Sequence, residues 1–354
     1  MPGDKLKLGF VGVGRMGQCA HLRNYAIIPD CEVVALADIR QRTARRVAEA
    51  YGVPNVYPDA AAMLAAEDLD GIVAAQQFEN HVHLLPELLK AKTPIFIEKP
   101  LAASVEGGRA LLNAIETSGT WVMPGYHKRS DPASEFAHEY IRALRQSGQL
   151  GELRYLRITM PAGDWIAGGF NDLIDEGDPY PDLPTEERPP NMDDAALAAY
   201  TEFVNYYIHQ INYVNFLLDE DYEIMYADPS GVMLAGTSES GVPITIEMSP
   251  YETTLDWQES ALVAFAQGYV RIDLPAPLVR NQPGRVQIFR DSGGGLPPET
   301  SHPQMPPVHA MYAQAQNFLA AIRDERQPPC DAAQAHRDLI LARDYQRLLQ
   351  GAGL

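Results

Sequence analysis

The chain has 354 residues, of which 46% are hydrophobic and 21% charged, and its formal net charge is −19. This length accommodates two domains with sizeable cores, and the acidic balance argues against binding to nucleic acid or to an anionic membrane surface. No apolar run reaches the roughly 18 residues of a membrane span, no signal-peptide pattern opens the chain, and three scattered cysteines indicate a reducing cytoplasm without disulfides or a metal cluster.

Residues 1–126 alternate short apolar strands with helices. Strands are predicted at residues 6–11, 32–37, 71–75, 95–97 and 121–123, and helices at 16–27, 43–51, 81–90 and 105–117. This alternation predicts an α/β domain with a doubly wound parallel sheet of the Rossmann type, covered by helices on both faces.

A glycine-rich turn follows the first strand. Gly12, Gly14 and Gly17 have the spacing G-x-G-x-x-G, which permits a tight turn, close approach of a pyrophosphate and close packing of the next helix. A glycine turn can also join a strand to a helix without any ligand. The second strand, however, leads to Asp38, 21 residues after Gly17, where a dinucleotide fold places the acid that binds a ribose 2′-hydroxyl. We therefore predict dinucleotide binding.

Asp38 favours NAD over NADP, because a carboxylate bonds a free 2′-hydroxyl and repels a 2′-phosphate. Arg40, Arg42, Arg45 and Arg46 follow it closely and offset this preference in part. Further candidate cofactor contacts lie in the glycine turn and near the strand ends: Arg15, Met16, Ile39, Arg40, Gln76, Gln77, Asn80, His81, Glu98 and Lys99. For Asn80 and His81 the alternative is a helix cap, and for Glu98 it is a role in fixing the turn that aims Lys99.

A Glu-Lys-Pro tripeptide, residues 98–100, follows the predicted strand at 95–97. Ligands of parallel sheets bind outside the carboxyl ends of the strands. Lys99 is therefore placed to reach a substrate beside the nicotinamide, and a solvated lysine at a strand end is the alternative.

Residues 127–354 show a different pattern. Helices are predicted at 135–146, 308–323 and 332–349, and strands at 153–160, 223–227, 232–236, 243–247, 261–265 and 269–274. Long stretches of strand without intervening helices predict an α+β domain with a largely antiparallel sheet. The last helix is a candidate to pack back on the first domain.

Residues 161–200 form an acidic, proline-rich insertion with ten acidic residues, one arginine and six prolines. Long irregular segments in compact domains are usually functional or mobile. We interpret the insertion as a lid or an inter-subunit arm, and an inert solvated loop is the alternative. A lid of this charge would favour a cationic substrate such as an amino sugar.

At the start of the insertion, Asp164 and Trp165 lie in a glycine-rich stretch. A tryptophan face beside a carboxylate suits a sugar, whose C–H face stacks on the ring while its hydroxyls bond the acid. A tryptophan that anchors the loop to the core is the alternative.

Residues 200–218 are predicted to form one helix. Asn205 and His209 are four residues apart and would share one of its faces. The ordinary pKa of histidine, near ~6.5, suits His209 to exchange the proton of an alcohol. A core histidine bonded to a backbone carbonyl is the alternative. His21, His83, His138 and His336 show no such pattern and are expected on the surface, and no set of residues has the spacing of a metal site.

Three motifs together resemble the glucose–fructose oxidoreductase / inositol dehydrogenase / rhizopine-catabolism (Gfo/Idh/MocA) family: the glycine turn, residues 98–102 and residues 125–132. The resemblance implies a second domain with a large, open, mostly antiparallel sheet whose face forms homo-oligomers, a dimer or a tetramer. It also implies a nicotinamide cofactor and a sugar, cyclitol or related substrate.

In the family, an Asp-x-x-x-His motif on one helix and the Glu-Lys-Pro lysine meet the substrate hydroxyl. His209 and Lys99 match these positions, whereas Asn205 replaces the aspartate and cannot carry a proton. Arg129 resembles the arginine that follows the family's last Rossmann strand, with a structural or a substrate-adjacent role. Three tyrosines are candidates to assist near the substrate: Tyr126, Tyr206 and Tyr207.

The leading hypothesis is an NAD-dependent oxidoreductase that transfers a hydride between nicotinamide and a secondary alcohol or ketone of a sugar, amino sugar or cyclitol. One alternative is a redox-neutral, NAD-assisted elimination or hydrolysis of a sugar. The other is a non-catalytic sensor that binds a dinucleotide, which the replacement at Asn205 leaves open.

Overall fold

A computed structural model describes residues 5–189 and 192–351 of the chain. These residues form two compact units. The first unit contains the described residues up to Tyr126, together with Gly168–Thr201 and Gln314–Leu339. The second unit contains His127–Ala167, Glu202–Ala313 and the chain from Ile340 onward. Each unit is built on its own sheet.

The first unit contains a six-stranded parallel sheet with the order β3-β2-β1-β4-β5-β6. Its strands are β1 (Leu6–Val11), β2 (Cys31–Ala37), β3 (Asn55–Tyr57), β4 (Gly71–Ala74), β5 (Ile95–Ile97) and β6 (Val122–Pro124). Its helices are α1 (Arg23–Tyr25), which continues a π-helical Gly17–Leu22, and α2 (Gln41–Tyr51), α3 (Ala60–Ala66), α4 (His81–Leu88) and α5 (Val105–Ser118). The predicted doubly wound sheet is confirmed, and its strand order reverses between β1 and β4, where such sheets bind dinucleotides.

The apolar strands of this sheet are buried, as expected for a parallel sheet with two covered faces. Phe10 and Phe96 are fully buried. Sequence analysis missed β3 and α3. The strand β3 has only three residues, all of them half-buried, and these do not form an apolar run. The helix α3 has seven residues and is rich in alanine. Its main start signal is the side chain of Asp59, which accepts the N–H of Ala62.

The second unit contains an eight-stranded sheet with the order β14-β13-β12-β11-β7-β10-β9-β8. Its strands are β7 (Leu153–Ala162), β8 (Tyr222–Ala227), β9 (Met233–Ser238), β10 (Pro243–Glu252), β11 (Glu259–Phe265), β12 (Gly268–Leu274), β13 (Arg285–Arg290) and β14 (Glu299–Ser301). Neighbouring strands are antiparallel except β7 and β10, which are parallel. The prediction of a large, mostly antiparallel sheet is confirmed, although β13 and β14 were not predicted.

The remaining helices are α6 (Pro132–Ser147), α7 (Asp194–Tyr206), α8 (Ile208–Leu218), α9 (Ala310–Ile322) and α10 (Ala332–Leu349). The prediction of one helix over residues 200–218 is wrong, because α7 ends before Tyr207 and α8 begins after it. The backbone of Tyr207 has φ −97° and ψ −3°, and its hydroxyl lies 2.5 Å from Oγ of Ser249. This side-chain bond accompanies the interruption of the helix.

Most of the acidic insertion clusters with the first unit, and its residues 190 and 191 lie outside the described part of the chain. We call residues 172–186 the strap, since nearly all of them run without helix or strand along the first unit. Three acidic residues of the strap are bound there: Asp172 by Arg23, Asp178 by Arg42 and Glu186 by Ser104. The strap is therefore bonded to its unit at these three side chains, while most of its residues are exposed.

Candidate functional site

The glycine turn joins β1 to the helix that begins at Gly17. Gly12 has φ +91°, a conformation that glycine adopts without strain. A Cβ atom on Gly17 would lie 2.2 Å from the carbonyl oxygen of Gly12, so only glycine permits this close packing. A Cβ on Gly14 would meet only the side-chain ends of Tyr180 and Arg40, at 3.3 and 3.7 Å. The turn thus has the form of the phosphate cradle of a dinucleotide fold.

Asp38 directly follows β2, and its carboxylate is buried. One oxygen accepts the N–H of Val13 at 2.8 Å, and the other accepts the N–H of Arg40 at 2.8 Å. The guanidinium of Arg40 approaches the same carboxylate at 3.3 Å and lies 4.5 Å from the centre of the Tyr180 ring. Asp38 therefore links the glycine turn to the end of β2, at the position suited to ribose hydroxyls.

A buried contact between Glu98 and His21 fixes the Glu-Lys-Pro turn after β5. Oε1 of Glu98 lies 2.5 Å from Nε2 of His21, and Oε2 accepts the backbone N–H of Lys99 at 3.1 Å. Burial opposes ionisation of Glu98, but the hydrogen bond from His21 and the charges of His21 and Lys99 hold its pKa below the ordinary value. The Lys99 side chain is half-buried.

The expectation that His21 lies on the surface is wrong. Its ring is buried and packs against Phe96, with the ring centres 4.9 Å apart. His336, expected on the surface for the same reason, is also buried and bonds the carbonyl oxygen of Val105 at 3.1 Å. A single histidine in the sequence gives no signal of a partner that is distant along the chain.

Other candidate cofactor residues lie near the strand ends of the first unit. Asn80 precedes α4 but makes no capping bond; its side-chain amide donates to the carbonyl of Pro184 at 2.7 Å, so the helix-cap alternative is wrong. His81 is fully buried with Nδ1 3.2 Å from the Leu101 carbonyl oxygen, and burial lowers its pKa to about 4. Exposed or half-buried positions are occupied by Arg15, Met16, Ile39, Gln76 and Gln77.

In the second unit, His209 lies on α8 beside His127. Their ring centres are 4.7 Å apart, with the ring planes at 73°. Arg129, two residues after His127, donates from Nε to Oδ1 of Asn212 at 2.5 Å. These contacts join the turn after β6 to α8, and they support the structural interpretation of Arg129 rather than the substrate-adjacent one.

Asn205 and His209 lie on two helices. Asn205 belongs to α7 and is exposed, whereas His209 belongs to α8 and is half-buried. The prediction that both residues lie on one continuous helix is therefore wrong, because Tyr207 interrupts the helix between them.

A buried polar cluster adjoins the two histidines, and sequence analysis missed it. Nζ of Lys128 lies 2.5 Å from Oε2 of Glu259, with 5% and 1% of these side chains exposed. Glu259 also accepts the side-chain N–H of Gln210 at 2.6 Å and that of Trp257 at 3.2 Å. Lys128 and Gln210 directly follow the two histidines in sequence, so this cluster anchors both segments. Its only sequence signal was that Lys128 falls within the motif at residues 125–132.

The two candidate substrate residues of the insertion, Asp164 and Trp165, are only partly available for contact with a substrate. One carboxylate oxygen of Asp164 accepts the N–H groups of Ile166 and Ala167, at 3.1 and 2.9 Å. Asp164 therefore closes a turn, and Trp165 lies half-buried within that turn. One oxygen of the Asp164 carboxylate is therefore engaged within the loop itself.

The candidate tyrosines are buried or half-buried: Tyr126, Tyr206 and Tyr207. Burial raises the pKa of Tyr206 and raises that of Tyr207 to about 12. Neither of these two phenols is therefore prepared to act as a base near neutral pH.

Within residues 5–189 and 192–351, no group of three or more histidine, cysteine, aspartate or glutamate side chains is arranged to hold a metal ion. Across the same described ranges, none of the helices combines the length and the apolar character that crossing a membrane demands. Cys19, Cys31 and Cys330 are buried, and none of these three forms a disulfide.

A parallel sheet of this strand order, a glycine turn after β1 and an acid after β2 define a dinucleotide-binding Rossmann fold. Residues 6–126 match the sequence model of the GFO_IDH_MocA family, described as an oxidoreductase family with an NAD-binding Rossmann fold. This match covers the main part of the first unit and confirms the resemblance seen in the sequence.

Curated relatives are distant. The chain is 22% identical over 285 residues to the uncharacterized oxidoreductase YrbE of Bacillus subtilis, covering 80% of this chain and 71% of that protein. It is 30% identical over 179 residues to an inositol 2-dehydrogenase of Rhizobium meliloti, covering 48% of this chain and 51% of that enzyme. The match thus spans about half the length of the inositol dehydrogenase.

Solved structures extend the likeness of the fold to nearly the whole chain. A putative NADPH-dependent oxidoreductase from Desulfitobacterium hafniense superposes with a TM-score of 0.79 at 13% sequence identity, covering 99% of this chain and 97% of the other. At this identity the comparison concerns the fold alone.

Proposed function

We propose that this protein is an NAD-dependent oxidoreductase that interconverts a secondary alcohol and a ketone on a sugar, amino sugar or cyclitol. In this proposal the first unit binds the dinucleotide and the second unit binds the substrate. The observation that carries it is the turn after β5, in which the buried Glu98 holds the backbone of Lys99 at the carboxyl end of a dinucleotide-binding sheet.

The first unit fits a dinucleotide. The backbone N–H groups that follow Gly14 are suited to the pyrophosphate, and the carboxylate of Asp38 is suited to the adenosine ribose. When bound, the nicotinamide ring supplies the acceptor or donor of the hydride. What the chain contributes is binding, orientation and movement of the proton.

Lys99, His209 and Asn205 have the proposed catalytic roles. The ammonium group of Lys99 would bond the substrate oxygen and stabilise negative charge on it. The imidazole of His209 would take the proton of the alcohol or return it to the ketone. Asn205 would orient a neighbouring hydroxyl by hydrogen bonding, since an amide cannot exchange the proton.

The test is absorbance of reduced nicotinamide, with purified protein, NAD and a panel of polyols, cyclitols, neutral sugars and amino sugars. We expect NADH to form with at least one alcohol. Lys99→Ala and His209→Ala should each lower kcat by about a hundredfold or more, the range for losing a positioned acid–base or oxyanion group. Lys90→Ala and His302→Ala remove the same residue types at exposed positions and should leave the rate unchanged.

Two results would contradict the proposal. The first is tight NAD binding without NADH across the panel, combined with exchange of a substrate C–H hydrogen for solvent deuterium, which would identify the redox-neutral chemistry. The second is NAD binding with neither turnover nor exchange, which would favour the sensor. Equal rates with amino and neutral sugars would remove the case for a cationic substrate, which the pairing of three strap acids already weakens.

We further propose a homo-oligomer that forms through the sheet of the second unit. Apolar side chains are exposed on β8 and β10, with 66% of Met225 and 51% of Tyr251 accessible, and exposed apolar surface of this kind is usually covered in an assembly. Light scattering after size exclusion should give a mass of two or four chains, and Met225→Lys should reduce it. A monomeric wild type would refute this proposal.

A further inference from the structure

The strap runs past residues that lie near the carboxyl ends of strands in the first sheet. Its contacts lie in turn on the helix after β1, on the segment after β2 and on the turn after β4: Ile174 with Gln18, Tyr180 with Arg40, and Pro184 with Asn80. A dinucleotide bound to such a sheet extends along these same strand ends. The strap is therefore positioned to interact with the adenosine end of a bound cofactor.

Asp178 of the strap is bound at the N-terminus of α2. One carboxylate oxygen accepts the N–H groups of Arg42 and Thr43, at 2.8 and 2.9 Å, and the other takes the guanidinium of Arg42. The first N–H groups of a helix have no partner within it, and the residue before α2, Arg40, supplies no capping bond from its side chain. Asp178 thus caps α2 from a position 135 residues from Thr43.

The groups that Asp178 occupies are those that a phosphate prefers. A helix N-terminus with an adjacent arginine binds phosphate through N–H groups and a guanidinium. In dinucleotide folds, the acid after β2 takes the 2′-hydroxyl of NAD, and an arginine nearby takes the 2′-phosphate of NADP. Because α2 begins three residues after Asp38, its N-terminus and Arg42 are well placed for that phosphate. The nearer arginine, Arg40, is already bonded to Asp38.

We propose that Asp178 determines the cofactor preference, because its carboxylate occupies the N-terminus of α2 and Arg42 where the 2′-phosphate of NADP would bind. This inference rests on the proposed dinucleotide-dependent function. NADP would have to displace a bonded carboxylate and place a phosphate near both Asp38 and Asp178. NAD has a neutral 2′-hydroxyl and leaves the strap in place.

Calorimetric titration with NAD and with NADP tests this inference without any substrate. We expect the wild type to bind NAD more tightly than NADP by about tenfold or more, and Asp178→Ala to tighten NADP binding by about tenfold, the effect of one charge-assisted hydrogen bond. NAD affinity should change by less than about threefold. Asp178→Asn keeps the size of the side chain and should shift the preference in the same direction, which guards against misfolding of the alanine variant.

Two further variants test whether the change in cofactor preference arises from the contact between Asp178 and Arg42. Glu187→Ala removes an exposed acid next to the strap and should leave the preference unchanged, which separates a local effect from one of net charge. Adding Arg42→Ala to Asp178→Ala should remove most of the gain in NADP affinity, because the freed guanidinium would then be absent.

Tighter binding of NADP than of NAD by the wild type would overturn the inference while leaving a nicotinamide-dependent function intact. Equal gains in NADP affinity from Asp178→Ala and Glu187→Ala would also overturn it. Binding of neither nucleotide would refute the proposed function itself. Selective NAD binding that Asp178→Ala relaxes would support the inference even if no alcohol in the panel is oxidised.

Discussion

The imidazole of His21 and the carboxylate of Glu98 form a buried contact of 2.5 Å between the helix after the glycine turn and the turn that carries Lys99. The second oxygen of Glu98 holds the backbone N–H of Lys99. One carboxylate therefore connects the proposed phosphate cradle to the proposed catalytic lysine. This connection makes Glu98 a positioning residue with a testable effect on turnover.

We expect Glu98→Gln to lower kcat by about tenfold, because the turn loses a charge-assisted hydrogen bond. The affinity for NAD should change by less than about threefold, since the glycine turn and Asp38 are unaltered. Steady-state kinetics and calorimetry measure the two quantities. Glu87→Gln removes a half-buried acid that pairs with Lys90 on the protein surface and is the matched control. An equal loss of NAD affinity and kcat in Glu98→Gln would show a general structural defect.

The buried pair of Lys128 and Glu259 gives a second prediction. Removing one member of a buried ion pair leaves an uncompensated charge and costs about 3–5 kcal/mol, whereas replacing both members by apolar residues is often close to neutral. We therefore expect Lys128→Met to lower the free energy of unfolding by about 3 kcal/mol or more. The double variant Lys128→Met, Glu259→Leu should recover much of that loss. Urea unfolding of the four proteins of this cycle measures the coupling.

An exposed pair serves as the control for this cycle. Arg271 and Asp273 are bonded at 2.8 Å, but 47% and 43% of their side chains are accessible. Because water solvates an exposed charge, Arg271→Met should cost less than about 1 kcal/mol. Similar losses for Lys128→Met and Arg271→Met would contradict the view that burial makes the first pair sensitive.

Local sequence signals predicted the first sheet well. Gly12, Gly17 and Asp38 could be assigned from spacing alone, because turn, helix packing and strand end are set by residues within one strand–helix–strand unit. The strands with clear apolar runs were also found. The strands β3 and β14 have three residues each. Three residues are too few for an alternating or apolar sequence pattern that would distinguish a strand from a turn.

Contacts between distant residues could not be predicted. Glu259 lies 131 positions from Lys128, and Asp178 lies 135 positions from Thr43, so no periodicity connects them. The interruption of the helix at Tyr207 could not be predicted for a related reason. Residues 200–218 are compatible with one helix, and the bond of the Tyr207 hydroxyl that accompanies the break is made to Ser249, on another element.

Gly17 provides a prediction about packing. A Cβ atom there would overlap the carbonyl oxygen of Gly12 at 2.2 Å, and relief requires the helix to move away from β1. We expect Gly17→Ala to lower the free energy of unfolding by about 2–3 kcal/mol, the upper range for overpacking, and to weaken NAD binding. The control is Gly52→Ala, because Gly52 has a left-handed backbone, φ +70°, but open space around it, so its substitution tests backbone strain without overlap. Its cost should be about 1 kcal/mol of backbone strain, with NAD affinity unchanged. Equal effects of both substitutions on NAD affinity would contradict the packing argument.

His81 predicts how stability depends on pH. Burial lowers its pKa from the ordinary 6.5 to about 4, although the carbonyl of Leu101 and the charge of Glu98 act in the opposite direction. The unfolded chain therefore binds a proton near pH 6.5, whereas the folded chain binds it only near pH 4, so stability is lost as the pH falls between these values. From pH 7 to pH 5 this single group should cost about 2 kcal/mol.

Urea unfolding at pH 7 and pH 5 measures this loss. His81→Asn should reduce the difference in unfolding free energy between the two pH values by about 2 kcal/mol, because asparagine does not titrate. The matched control is His83→Asn on the same helix, since His83 is exposed and its substitution should leave the difference nearly unchanged. The comparison uses the change with pH rather than the absolute stability, so a constant packing defect of His81→Asn cancels. An unchanged difference in His81→Asn would show that another buried group controls the acid sensitivity of this fold.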